Sequence, residues 1–191
     1  GKLIILGVLH QSFDQYAHKL GRTAKEEWAK IQGRYVDIPF ISNTDEVIEL
    51  LGKAIEINHL VMPKKTEKIF DTVAEVIKKR RPQLSSSLNQ SLKNCWPLHP
   101  IVSSLIGPIS RKKFSQNERS IFSFLTSVEP FGLQEFILKS DPANLYGPDN
   151  YFDYLKVNFE QAILASSDGH RWAIAVDAIE RAELRSGCTD L

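Results

Sequence analysis

The chain is poor in the residues that staple small folds or build metal centres. Its 191 residues hold two cysteines, Cys95 and Cys188, far apart and with no C-x-x-C spacing. No zinc site is indicated, and both fit reduced thiols in a cytoplasmic protein. Long hydrophobic runs are lacking too. The apolar opening, Leu3 to Leu9, is far short of the roughly 20 residues a membrane helix needs, and no signal-peptide layout follows it. Charge of one sign is not in excess: 24 Lys and Arg against 23 Asp and Glu leave a net +1, which gives no global reason to expect nucleic acid or a membrane. A phosphate cradle of the form G-x-x-x-x-G-K-[ST] is absent, because Gly52-Lys53 lacks the upstream glycine and the hydroxyl. An apolar strand ending in an acidic magnesium ligand is absent as well, so the chain alone is not expected to hydrolyse ATP. Ser85 to Ser87 and Ser123 to Ser127 form no G-x-S-x-G elbow. His99 and His170 have no partner at ligand spacing, and no metal is expected.

What is present is a globular composition, 42% apolar and 25% charged, long enough for one domain or one and a half. Lys2 to Leu9 reads as a short buried strand, ending at His10-Gln11-Ser12. A helical pattern follows from Ser12 to Gln32, with a weak point at Gly21 and a C-cap at Gly33. Tyr35 to Ile41 reads as a second strand whose Pro39 suits an edge. Strand, helix and strand fit one βαβ-like unit, with strands near 2–9 and 35–41. Beyond it the pattern is helical: Val47, Ile48, Leu51 and Ile55 after a cap at Asn43 or Thr44; Ile69, Val73, Val76 and Ile77 after Pro63; Leu133 to Leu138; Tyr151 to Ala165; Arg171 to Leu184. The expected fold is mainly α with a small α/β portion, divided into residues 1–42 and a helical domain over 43–191. A chain that opens at once on a strand suggests a piece of something larger.

The stretch from Cys95 to Ser127 organises the rest. Pro97 and Pro100 lock a turn around Leu98 and His99, and Pro100 suits a first helical turn. Ile101, Leu105, Ile106 and Ile109 make one apolar face, and Ser115 with Glu118 has capping-box spacing before Ile121, Phe122 and Leu125. The result is a helical hairpin with a polar elbow at Arg111, Lys112, Lys113, Gln116, Asn117, Glu118 and Arg119. Arg119 with Asn117 at a helix start suits an anion, or a plain capping box. Lys78 to Arg81, and Arg111 to Lys113, suit either a nucleic-acid backbone or solvated helix ends. His10 and Gln11 stand where parallel sheets bind ligands, or else cap the next helix. Arg34 suits an arginine finger, or a surface pair with Asp37. Phe122, Phe124, Tyr151, Phe152 and Tyr154 read as core.

Three groups of segments then carry a resemblance: Ile5 to Phe13 with Glu27 to Tyr35, Pro97 to Pro100 with Gln116 to Leu125, and Tyr151 to Tyr154 with Arg171-Trp172. In order and spacing they resemble the part downstream of the Walker motifs in large bacterial AAA+-like P-loop ATPases, some of which sit in phage-defence operons. The resemblance implies that Leu3 to Leu9 is the strand after the Walker B strand and that His10 or Gln11 is the sensor. It implies that Arg34 is a trans-acting finger, that Arg119 is a phosphate sensor in a helical lid, and that the parent protein is an oligomeric ATPase. ATP and magnesium would bind only in the larger assembly, with a Walker-bearing segment or subunit as partner. Both Walker segments are missing, so the chain would be an excised part, a split product or a degenerate partner. The alternative, from a different class, is a non-catalytic helical module that binds DNA or a protein through the basic elbow at Arg111, Lys112 and Lys113.

Overall fold

The computed structural model describes residues 4–8, 20–36, 44–56, 61–84, 86–112, 123–126 and 128–186. It divides into two compact units, residues 1–41 and 42–191. Among the described residues the fold is mainly helical and contains no strand.

In the first unit, α1 spans Arg22–Gln32. It does not run on from Ser12 through a weak Gly21. Gly21 is extended, at φ −66° and ψ 165°, and is the N-cap; residues 12–19 lie outside the described residues. Gly33 closes the helix where expected, but at φ −63° and ψ −8°, a conformation open to any residue. The expected strand over 2–9 is described at residues 4–8 and is not formed there. Ile4, Ile5, Leu6 and Val8 are 91%, 63%, 85% and 84% exposed. A strand needs a neighbour for its backbone N–H and C=O groups, and the described residues offer it none. Of the expected second strand, Tyr35 and Val36 are described outside any strand, and residues 37–41 lie outside the described residues. No described side chain of this unit is buried.

The second unit owns a complete core. Its helices are α2 (Thr44–Ala54), α3 (Lys64–Arg80), α4 (Leu88–Lys93), α5 (Pro100–Ser110), α6 (Leu133–Lys139), α7 (Pro148–Leu164) and α8 (Gly169–Ser186), with a helical turn at 123–126. Asp45 and Glu46 lie in the first turn of α2, where the helix dipole favours anions. Val47, Ile48 and Leu51 form its buried stripe. That stripe packs on α4 and α5, while α3 also packs on both. The crossings are close because they are made at glycines. A Cβ on Gly52 would lie 2.9 Å from Asn94 Cβ, and one on Gly107 would lie 3.2 Å from a methyl of Val47.

Two apolar faces differ from the periodicity reading. On α5 the buried residues are Pro100, Val102, Ser103, Ile106, Gly107 and Ser110, while Ile101 and Leu105 are 42% and 40% exposed. On α3 they are Thr66, Phe70 and Ala74, while Val76 is half exposed. In both cases small residues lie on the inner face. The hydroxyls of Ser103 and Ser110 are satisfied within the helix by the carbonyls of His99 and Gly107, which removes most of the cost of burying them. The short helix α4, absent from the sequence reading, is anchored by buried Leu88 and Leu92. Lys93 also fixes it, with Nζ 2.8 Å from Glu67 and 2.9 Å from Asp71 on α3.

The register on α5 has a direct consequence for stability. Ile106→Ala empties a core position and is expected to cost about 2–5 kcal/mol in urea unfolding. Leu105→Ala, at a surface-facing site, is expected to cost less than about 1 kcal/mol. Equal losses at the two positions would contradict the register.

Candidate functional site

The sequence-predicted site residues fall in different places. His10 and Gln11 lie outside the described residues, as do Lys113, Asn117 and Arg119. Arg34 belongs to the first unit. It follows the α1 cap, its N–H donates to the Ile31 carbonyl at 3.0 Å, and its side chain is exposed. Arg111 and Lys112 belong to the second unit at the end of α5. Lys112 Nζ is 2.8 Å from Asp168 Oδ2 in the turn before α8, and it holds that carboxyl below its usual range. Arg111 reaches Thr44 Oγ1 at 3.4 Å. These two elbow cations therefore tie α5 to the start of α8 and to the start of α2.

The most built feature of the second unit is the turn from Cys95 to Pro100. It contains a cis Trp96–Pro97 peptide. Leu98 forms a parallel bridge with Tyr146: Tyr146 N–H donates to Pro97 O at 2.9 Å, and His99 N–H donates to Tyr146 O at 3.0 Å. His99 is then the N-cap of α5, its Nδ1 accepting from Ile101 N–H at 3.2 Å. On the other side, Tyr146 leads through Gly147 into α7. Its ring packs edge-on against Phe124 and Phe136, and its hydroxyl donates to the Phe131 carbonyl at 2.6 Å. Tyr151 and Tyr154 complete the cluster around Phe124. Tyr154 donates to Glu129 Oε2 at 2.7 Å. The expectation that Phe124, Tyr151 and Tyr154 are core residues holds; Phe152, expected there too, is half-buried and stacks on Trp172, and Phe122 lies outside the described residues.

The chemistry available here is structural. Burial pushes the Cys95 thiol up to about 12, so it stays protonated at neutral pH and is no nucleophile. Its sulfur sits 3.3 Å from the carbonyls of Ile48 and Ser91, bridging α2 to the end of α4. Burial also raises the Tyr146, Tyr151 and Tyr154 hydroxyls, so none is an acid at neutral pH, and those of Tyr146 and Tyr154 serve as donors. Among the described residues no three His, Cys, Asp or Glu side chains are grouped to hold a metal ion. No helix among them is long and apolar enough to cross a membrane. Sequence reasoning missed the capping role of His99 and the Lys93, Glu67 and Asp71 network. The Pro-x-x-Pro frame around His99 is the signal that pointed to the first, since it places a hydrogen-bonding side chain just before a helical proline.

Comparison of the chain with protein-family models, with curated proteins and with solved structures finds no match.

The cap at His99 sets a pH dependence. Burial lowers the His99 pKa below its ordinary value, with the Asp149 carboxylate opposing. The neutral ring is the form that accepts from Ile101, and protonating Nδ1 removes the acceptor. The contribution is therefore complete above the unfolded pKa of about 6.5 and is lost as pH falls through the folded pKa. His99→Asn keeps a capping acceptor without titrating in this range. The melting temperature of the unmodified chain is expected to fall relative to His99→Asn on going from neutral to mildly acidic buffer. A constant difference between the two would contradict the assignment.

Proposed function

We propose that this chain supplies the sensor and lid portion of an AAA+-like P-loop ATPase, acting on ATP and magnesium only when joined to a Walker-bearing segment. The observation that supports the reading is the contrast between the two units. The second unit buries its own core, whereas the first has no buried side chain among its described residues. A contiguous apolar run from Ile4 to Val8, together with Val36 at 89% exposure, needs a cover that the described residues do not provide. The sheet of a P-loop core is such a cover. In this reading residues 2–9 and 35–41 become strands when laid against it, completing a βαβ unit around α1.

The same assembly gives roles to residues at its edges. His10 or Gln11 follows the first strand toward the nucleotide. Arg34, exposed just beyond α1, reaches the phosphates of a neighbouring subunit in an oligomer. Arg119 with Asn117 senses phosphate from the helical lid. Some proteins of this kind act in phage defence, and that is the biological setting proposed here. The alternative elbow reading has less support, because Lys112 and Arg111 already hold Asp168 and Thr44.

The test is ATP turnover by the chain alone and combined with the Walker-bearing segment encoded upstream. Turnover is expected only in the combination. Arg34→Ala in that combination is expected to lower it by about a thousandfold, the worth of an arginine finger, with nucleotide binding kept. Full turnover by the Arg34→Ala variant would remove the finger role. No binding or turnover in the combination would remove the ATPase reading itself.

A further inference from the structure

Part of the described surface charge is paired within the chain. Lys53 pairs with Glu49, Lys139 with Glu135, Lys156 with Glu180 and Arg181 with Asp177. The end of α3 differs in holding its unpaired cations in an unbroken run. Lys78, Lys79 and Arg80 form its last turn and Arg81 is its C-cap, giving four consecutive cations. Lys78 donates to the Ser86 carbonyl, a neutral partner that leaves its charge uncompensated. Lys79, Arg80 and Arg81 are exposed, and among the described residues none of the four is in an ion pair. Glu75, one turn upstream of Lys79, pairs with none of them, while Glu67 and Asp71 on the same helix are taken by Lys93.

A helix C-terminus favours cations through its dipole, but one or two suffice for that, and a carboxylate nearby is the usual companion. Four together, without a carboxylate partner among the described residues, make a concentrated positive tip on a chain whose net charge is only +1. The loop beyond the tip exposes Gln83, Ser86 and Ser87, with Pro82 exposed beside them. Leu84, its large apolar residue, packs on the core. A membrane-docking tip would expose apolar groups for insertion. Cations next to amide and hydroxyl groups match phosphate and sugar oxygens instead.

We propose that the α3 tip, Lys78 to Arg81, is a docking point for the phosphate backbone of a nucleic acid, independent of sequence. The site is separate from the proposed ATPase role and stands or falls without it. Neutralising about four phosphates predicts an affinity for duplex DNA that falls about a hundredfold between roughly 50 and 200 mM salt.

The experiment is fluorescence anisotropy of a labelled random-sequence duplex titrated with the full chain, with anionic phospholipid vesicles as the competing surface. The triple variant Lys79→Glu, Arg80→Glu, Arg81→Glu is expected to bind at least about tenfold more weakly, with a clearly shallower salt dependence. A second triple variant, Lys64→Glu, Lys65→Glu, Lys68→Glu, changes the net charge equally at the other end of α3. It is expected to lose less than about threefold. Circular dichroism checks that both variants keep the helical fold, as exposed sites should. Equal losses in the two variants, no duplex binding by the unmodified chain, or capture by vesicles in preference to duplex would each overturn the proposal.

Discussion

The pairing of Leu98 with Tyr146 is the constraint on which the second unit depends. It joins a turn leading into α5 with a loop leading into α7, across almost fifty residues of chain. Two backbone hydrogen bonds at 2.9 and 3.0 Å define it, and both partners are fully buried. The neighbouring structure depends on holding those two strand-like residues together. His99 is placed to cap α5, Pro100 to open it, and Gly147 to start α7. Tyr146 is placed to gather Phe124, Phe136 and the turn carbonyl of Phe131. A buried backbone group that loses its partner costs about 1–3 kcal/mol, so the junction favours a single arrangement of the segments leading into α5 and α7.

The helices packed around it approach closely at Gly52 and Gly107 and are cross-linked at their edges by charge. Lys93 holds Glu67 and Asp71, and both carboxylates gain hydrogen bonds that keep α4 against α3. Asn89 adds a bond to Asp71 at 2.9 Å and, with Lys93, keeps that carboxyl below its usual range. These exposed and half-exposed pairs specify position more than they add stability. The first unit has no comparable set of contacts among its described residues. Its helix α1 carries Trp28 and Ile31 on one side but buries neither, and its ion pairs, Arg22 with Glu26 and Lys30 with Glu27, lie on the surface. That asymmetry distinguishes the two parts: one buries a core of its own, and in the other no described side chain is buried.

How much of this was legible in the sequence varied with the type of signal. Helix starts marked by proline read well, since Pro63 and Pro100 open α3 and α5, and Gly132 precedes α6 as expected. Glycine read less well elsewhere: Gly21 is an N-cap where a weak point within a helix was expected, and Gly169 already begins α8, ahead of the expected start at Arg171. The inner faces of α3 and α5 read poorly, because periodicity tracks large apolar residues, and there the buried positions include small residues, Ala74, Ser103 and Gly107. Six residues were too few for a period, so α4 left no pattern beyond Leu88 and Leu92. Partners distant in sequence, such as Lys93 with Glu67 or Lys112 with Asp168, leave no local trace. Of the candidate site, Arg34 is described and exposed, which the finger and the surface-arginine readings both expect. Arg111 and Lys112, read as free for a partner, are drawn into intramolecular contacts. The strand reading of residues 4–8 rested on composition, and composition marks a segment that wants burial without supplying the sheet that would bury it.

The central claim is that the two units differ in what they need. The most direct measurement is amide hydrogen exchange along the isolated chain. Amides of residues 4–8 and of α1 are expected to exchange close to unprotected rates, while those of α3, α5 and α7 exchange only through global unfolding. Equal protection in both parts would mean that the first unit is complete by itself, and would contradict the account.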